Sequence, residues 1–535
     1  MKLYTWTVAA LMAAMFLTGC GAAKHPAASL KPIANTGFAE RKSEPSETDK
    51  QRWSHLDLAK DSLPGMSVDR AYAEIIKDQK GQTVIVGVID SGIDVEHEDL
   101  AAVMWINEKE IPGNNTDDDK NGYVDDVYGW NFLGQSNDEN LEMTRIVKKG
   151  DDGSAEYKRA KAAFDAEFRE AQGARQRMEF LLQADAAIRQ AVGKENYTLE
   201  DLKTLTSDNV LINQVRPQFE RILASVPKED FDEQIQEGFN YYDKKLKFHL
   251  NTQWDGRKPV GDNPSDINDR NYGDADVKGP DYLEEAVHGT HVAGIIAQIR
   301  HNGLGGDGVA NNVKIMALRA VPNGDEYDKD IALAIRYAVD NGAKIINGSF
   351  GKSFSPEREL VYEAIKYAAS KDVLFVHAAG NDSNDLDLEE NQNFPNDSKN
   401  AIDEFADNVL TVGALNPSYS ENLVAGFSNY GRYNVDVFAP GQDIYAAVPG
   451  NKYRYLQGTS MAAPNAAGVA ALIRSHFPKL TAAQVKKIIM DSGIPYTGEV
   501  NLGGGTEKRS FTTASRSGKM VNAYNALIMA AQMSK

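Results

Sequence analysis

The chain has one cysteine, Cys20, in 535 residues, so no intramolecular disulfide can form. Basic residues are outnumbered, 58 Lys and Arg against 77 Asp and Glu. The resulting charge of −19 lacks the basic footprint that a nucleic-acid partner needs. No internal repeat is present, and beyond the N-terminus no run is long and apolar enough to read as transmembrane. What remains is ordinary globular composition, 42% hydrophobic and 25% charged, which excludes wholesale disorder. The length allows several domains, or one large domain with an insertion. The acidic balance suits a solvated, exported or calcium-associated protein.

Near the start, Lys2 precedes TWTVAALMAAMFLTGC, which is short for a bilayer span and right for a signal-peptide apolar region. It ends in Leu17-Thr18-Gly19-Cys20, which resembles the bacterial lipobox. That resemblance implies a signal peptide over 1–19, cleavage before Cys20, and lipidation of Cys20. The protein is then expected to be exported and held on a bacterial membrane, since multiple acyl chains anchor firmly. A plain signal peptide with a chance cysteine is the competing reading. Residues 20–52, rich in Ala, Pro, Ser, Lys and Glu, read as a flexible tether.

Order is expected from Trp53. SVDRAYAEIIKDQ has helical spacing behind a capping Ser67. TVIVGVID is a short β-branched run ending in an acid, and VKIMALRAV, AKIINGSF, VLFVHAAG and NVLTVGAL repeat the style. Helical stretches such as DIALAIRYAVDNG and ERELVYEAIKYAASK lie between some of them. That alternation predicts a parallel α/β sheet with helices on both faces, and sites beyond the carboxyl ends of its strands. Between about 141 and 250 the chain turns charged, Ala-rich and helical, which predicts an inserted helical unit between parts spanning 53–140 and 251–535.

Three stretches carry chemistry. Asp90 ends a strand in VIDSGI, His288 opens an apolar helix in HGTHVAG, and Ser460 stands among small residues in YLQGTSMAAPNAAG. Thr459, Ser460 and Pro464 can be read as an ordinary cap and first helical turn. They can also be read as a nucleophile at a helix amino end, where free N–H groups favour an oxyanion. A serine nucleophile needs a base, and the base needs an anion to hold its tautomer. VIDSGID, HGTHVAGI and GTSMAAP, in that order, resemble the three signatures of the subtilases, the subtilisin-like serine peptidases, over about 82–132 and 254–527. The resemblance implies a three-layer subtilisin-like α/β fold with a central mainly parallel sheet and, here, an α-helical insertion. It further implies a serine endopeptidase acting on peptides or proteins, with Asp90 orienting, His288 as base, Ser460 as nucleophile and Asn381 of AAGN in the oxyanion hole. No catalytic metal is implied. His291, His97 and His301 read as structural, and Asp94 and Asp99 as solvated loop acids.

Ser349-Phe350-Gly351 resembles the family's Ser-x-Gly segment, implying an edge that pairs with substrate backbone and walls the first specificity pocket. Phe350 suggests an apolar preference and Asp382 a basic one, so specificity stays open. DDDKNGYVDD has the D-x-D-x-N-G opening of a calcium loop. Its expected ligands are Asp117, Asp119, Asn121, the Tyr123 carbonyl and Asp126, for a structural Ca2+. Tyr128 replaces the usual bidentate glutamate. The insertion, which parts Asp90 from His288 by nearly 200 residues, reads by default as structural packing, against a lid, a partner-docking arm or a stiff spacer. Two other functions stay open: a catalytically inactive peptide-binding protein and a peptide ligase or acyl transferase.

Overall fold

The computed structural model describes residues 25–34, 37–400, 402–505 and 508–534. The expected signal peptide and Cys20 lie outside the described residues. Seven strands carry the sheet: β1 (Val84–Asp90), β2 (Gly129–Asn131), β3 (Val313–Arg319), β4 (Ile345–Gly348), β5 (Leu374–Ala378), β6 (Val409–Leu415) and β7 (Val437–Pro440). Two short pieces, Lys519–Met520 and Ile494–Pro495, extend it beyond β7, giving the order 494–495, 519–520, β7, β6, β5, β4, β1, β3, β2. The pairings from β2 to 519–520 are parallel, and only 494–495 pairs antiparallel.

Side-chain alternation along β1 makes three layers. Val84, Val86 and Val88 enter one core with the helices Val287–Ala297 and Thr459–His476. Ile85 and Ile89 face the other, with Asp328–Asp340 and Arg358–Ser370. β1 lies between β3 and β4, so the chain leaving β3 crosses to the far side of β1. That reversal opens a crevice at the carboxyl end of β1, where Asp90 sits.

Residues 142–249 are helical, as their period predicts. The root helix Glu142–Lys149 leads into the arm helix Ala155–Val192, whose 38 residues extend about 57 Å at 1.5 Å per residue. Ser154 caps the arm through Tyr157 N–H. Lys228–Lys244 returns alongside, and Ile188, Phe219, Phe231 and Ile235 form a small core of the insertion's own.

Two expectations are corrected. The stretch read as a tether carries apolar residues that find the body: Ala27 is buried, Ile33 N–H donates to Asn525 Oδ1 at 2.8 Å, and Phe38 meets the Tyr419 ring. Ser67 precedes its helix but makes no side-chain cap, because its φ is +56° and its hydroxyl instead accepts from Asn522 Nδ2. Among the described residues no helix is long and apolar enough to cross a membrane.

Candidate active site

Asp90 closes β1 and is buried. The helix Val287–Ala297 begins over that strand end, and His288 in its first turn donates Nδ1–H to Asp90 Oδ1 at 2.7 Å. A carboxylate only accepts, so Nδ1 carries the proton and Nε2 of the neutral ring is left as a base. Burial opposes the imidazolium, but the charge and hydrogen bond of Asp90 outweigh it and raise the His288 pKa above 6.5. Asp90 Oδ1 also accepts Ser91 N–H, while Oδ2 is buried without a hydrogen-bond partner. The helix can come this close because residue 289 is glycine. A Cβ there would lie 2.2 Å from the Gly92 carbonyl oxygen and 3.0 Å from Asp90 Cβ.

Ser460 is the second residue of the helix Thr459–His476, where N–H groups have no intrahelical acceptor. Its N-cap, Gly458, has φ +148° and ψ 164°, a region that essentially only glycine occupies. Ser460 Oγ donates to the Ser349 carbonyl at 3.2 Å, and makes no hydrogen bond to His288 in this state. Pro464 is the helix's sixth residue, past the first turn where the sequence placed it. Lacking an N–H, it leaves the Ser460 carbonyl without its helical donor. Ser349 Oγ takes that carbonyl at 2.8 Å and is itself held by Asn347 Nδ2 at 2.9 Å. Asn465, just behind, ties the helix to β7 through the Pro440 carbonyl.

Asn381 meets Ser460 through its neighbour. Asn381 Oδ1 accepts Thr459 N–H at 2.9 Å and Thr459 Oγ1 at 3.0 Å, while Thr459 Oγ1 accepts Gly380 N–H. The backbone N–H can only donate, so the carbonyl end of the amide is fixed there and Nδ2 is left to a ligand. Asn381 follows the carboxyl end of β5 as His288 stands over that of β1, and the helices that carry His288 and Ser460 pack against each other.

The segment Ser349–Gly351 divides between surface and core. Gly351 is exposed, and its backbone N–H and carbonyl make no hydrogen bond among the described residues. Phe350, expected to offer an apolar contact to substrate, is instead buried in the core, and its carbonyl accepts from His377 Nε2 at 2.7 Å. Burial lowers the His377 pKa to about 4, so that ring is neutral near pH 7. Asp382 is exposed.

His97 and His291 are buried and bonded to the carbonyls of Lys452 and Arg454. Asp94 and Asp99, expected to be solvated, are buried. Asp94 accepts Gly450 N–H, and Asp99 accepts Ile299 N–H and Asn302 Nδ2. Those donors sit far along the chain, which is why the sequence did not disclose them.

In the acidic loop, Asp117 and Asp119 gather with Glu110, their oxygens within 4.8 Å of one another. Glu110 lies outside the loop motif and was missed. Asp126 is turned inward instead: it accepts Tyr337 OH at 2.5 Å, Asn121 Nδ2 at 2.8 Å and Asn107 Nδ2 at 2.9 Å. Burial pushes its carboxyl up to about 6. Asn121 Oδ1 accepts Tyr123 N–H, so both ends of that amide are engaged within the loop.

The chain resembles several curated proteins. The Thermophilic serine proteinase of Bacillus sp. (strain AK1) is 40% identical over 207 residues, covering 37% of this chain and 47% of that protein. Subtilisin-like protease 1 of Plasmodium falciparum is 33% identical over 312 residues, 55% of this chain and 42% of that one. The Cell wall-associated protease of Bacillus subtilis (strain 168) is 38% identical over 208 residues, 39% of this chain and 21% of that one. The match thus spans less than half of each of these relatives. The profile of the Subtilase family matches residues 81–518, β1 to β7 with the three motifs, and the chain belongs to that family.

Proposed function

We propose that the protein is a serine endopeptidase that cleaves peptide bonds through an acyl-enzyme on Ser460. The observation that carries this reading is the His288–Asp90 pair at 2.7 Å, which leaves Nε2 as a base at the start of a helix packed against the one that carries Ser460. Substrate binding exchanges the Ser460–Ser349 hydrogen bond for one from Ser460 Oγ to His288 Nε2. His288 then takes the hydroxyl proton as Oγ attacks the carbonyl carbon, and Asp90 stabilises the imidazolium. The oxyanion is received by Asn381 Nδ2 and Ser460 N–H, which are in place beforehand and need no reorganisation. His288 returns its proton to the leaving amine, and water repeats the cycle on the ester. Labelling by a fluorophosphonate, mapped to Ser460 by mass spectrometry and absent from Ser460→Ala, tests the reading. A folded protein that is not labelled would sink it.

The acidic loop fits a structural calcium ion. Glu110, Asp117 and Asp119 supply hard oxygens that converge, and among the described residues the ion pair they make is with the exposed Lys109, 3.8 Å from Asp119. The ion would neutralise three crowded carboxylates and cross-link the loop to the chain before β2. A lipid on Cys20 would hold the enzyme at a bacterial membrane, a reading that rests on the lipobox resemblance alone.

A further inference from the structure

The root of the insertion joins the two segments that border the crevice. One segment leaves β3 beside Asp90, where Ala320 and Val321 N–H donate to the Asp90 carbonyl. It runs on through Asn323, whose N–H and carbonyl pair with Asn137 and Glu139 just ahead of the root helix. Asp325 then caps that helix, accepting Glu142 N–H at 2.7 Å, and Arg145 donates to the carbonyls of Asp325 and Glu326. The other segment is the substrate edge. Immediately after Gly351, Lys352 turns inward, 1% exposed, and places Nζ 3.1 Å from Glu142 of the root helix, 3.0 Å from Asp328 and 2.7 Å from the Glu326 carbonyl. Its backbone is paired both ways with Phe394. One residue further, the Ser353 carbonyl is capped by Arg159 of the arm helix, whose guanidinium also lies 4.1 Å over the Phe354 ring.

A strand added along Ser349–Gly351 therefore meets no free partner at Lys352 and no free acceptor at the Ser353 carbonyl. Both backbone groups of Lys352 and the Ser353 carbonyl are taken, and the ion cluster behind them is buried, where a missing partner is costly.

We propose that the helical insertion is the end wall of the substrate groove: by holding Lys352 through Glu142 and Ser353 through Arg159, it confines recognition on the acyl side of the scissile bond to about three residues. This rests on the endopeptidase reading, in which Ser349–Gly351 is the edge that substrate joins. The insertion is neither a lid nor a detached arm, and Glu142 and Arg159 are positioning residues for peptide length. A chain longer than three acyl-side residues must leave the groove over the root helix.

The test is a series of N-acetylated alanine-rich peptides with Phe before the scissile bond, carrying fluorescein on the leaving side and two to six acyl-side residues. Binding to full-length Ser460→Ala is read by fluorescence anisotropy, and hydrolysis is read with the native serine. Affinity and kcat/KM should rise up to three acyl-side residues and change less than about twofold beyond. In Glu142→Ala/Arg159→Ala, peptides of five and six residues should gain several-fold while the three-residue peptide is unchanged, a split that mere loss of stability would not produce. Continued gains of about tenfold per added residue in the parent protein would overturn the end wall and leave the endopeptidase reading standing. No binding and no hydrolysis at any length would remove the endopeptidase reading, and the end wall with it.

Discussion

Ser349 and Ser460 hold each other by two opposed hydrogen bonds, Ser349 Oγ to the Ser460 carbonyl at 2.8 Å and Ser460 Oγ to the Ser349 carbonyl at 3.2 Å. They differ in kind. The first fills a vacancy that Pro464 creates and persists through the cycle; the second must break before Ser460 can be deprotonated. The proposed substrate edge and the proposed nucleophile are thereby tied to one another.

Ser349→Ala removes the persistent bond and leaves the Ser460 carbonyl unpartnered, a loss of about 1–3 kcal/mol when the group is shielded from water. We expect kcat to fall about tenfold, since each 1.36 kcal/mol on the barrier is about a factor of ten, with KM little changed. Ser349→Thr, which keeps a hydroxyl, should recover part of the loss. Steady-state kinetics on a short peptide decides it, and a raised KM with unaltered kcat would contradict the account.

The pH profile follows from His288. Its pKa is raised above 6.5 because Asp90 outweighs the burial that opposes charge, and catalysis needs the neutral ring. The acid limb of kcat/KM should therefore lie above the ordinary imidazole value, with activity lost as pH falls through it. For stability the sign is opposite. The folded state binds this proton more tightly than the unfolded chain, so the pair's contribution is full below about 6.5 and fades as pH rises through the folded value. Asp90→Asn should move the acid limb down in pH and lower kcat by about 10⁴, because the wrong tautomer then faces Ser460. An unmoved limb in that variant would show that Asp90 does not set the His288 pKa.

Much of this was legible locally. The run VIVGVID is a buried strand because its residues are β-branched and its alternation feeds two cores, and the three motifs announce themselves by residue type. The insertion's helices follow their period. What the sequence hid depends on chain crossings. Nothing near Thr459 signals that its hydroxyl and N–H would fix the Asn381 amide, and nothing near Pro464 signals that its missing donor would be supplied by Ser349. Phe350 looked like a substrate contact, yet the carbonyl bond to His377 and the core behind it draw the ring inward. Asp126 matched the calcium spacing, but Tyr337, more than two hundred residues away, claims it, while Glu110 joins the cluster from outside the motif. Residues 25–52 have a linker's composition, and a few apolar side chains suffice to dock the described part of them.

Calcium binding is measurable apart from activity. A ligand held only by the folded state stabilises it by about 2.7 kcal/mol at a hundred times its dissociation constant. Millimolar Ca2+ should therefore raise Tm by several degrees over the protein in EGTA. Glu110→Ala or Asp119→Ala should abolish that increment, and Glu110→Ala should also lower the Tm in EGTA, because its carboxylate accepts Asp118, Asp119 and Asp125 N–H. Asp126→Asn should keep most of the increment, since its oxygens already accept from Tyr337, Asn121 and Asn107. If Asp126→Asn removes the increment and Glu110→Ala does not, the ligand set belongs to the loop motif instead.

Gly458 separates backbone conformation from space. A Cβ at this position would find Asn381 Nδ2 at 3.5 Å as its nearest neighbour, an ordinary contact, so bulk is no obstacle. The obstacle is φ +148° with ψ 164°, where a residue other than glycine pays on the order of 1–3 kcal/mol of strain. Gly458→Ala can relieve that strain only by rotating the backbone into Thr459, whose N–H and hydroxyl hold Asn381, and into Ser460 beyond it. Oxyanion donor and nucleophile should then drift together. We expect fluorophosphonate labelling of Ser460 to slow by about ten- to a hundred-fold, with a Tm drop of a few degrees or less. Gly458→Ser should behave alike, since the added hydroxyl does not change the φ requirement. Labelling at the parental rate with a lowered Tm would mean that the strain is absorbed upstream, in the turn after 456, and that the nucleophile is held by Pro464 and Ser349 without help from its cap.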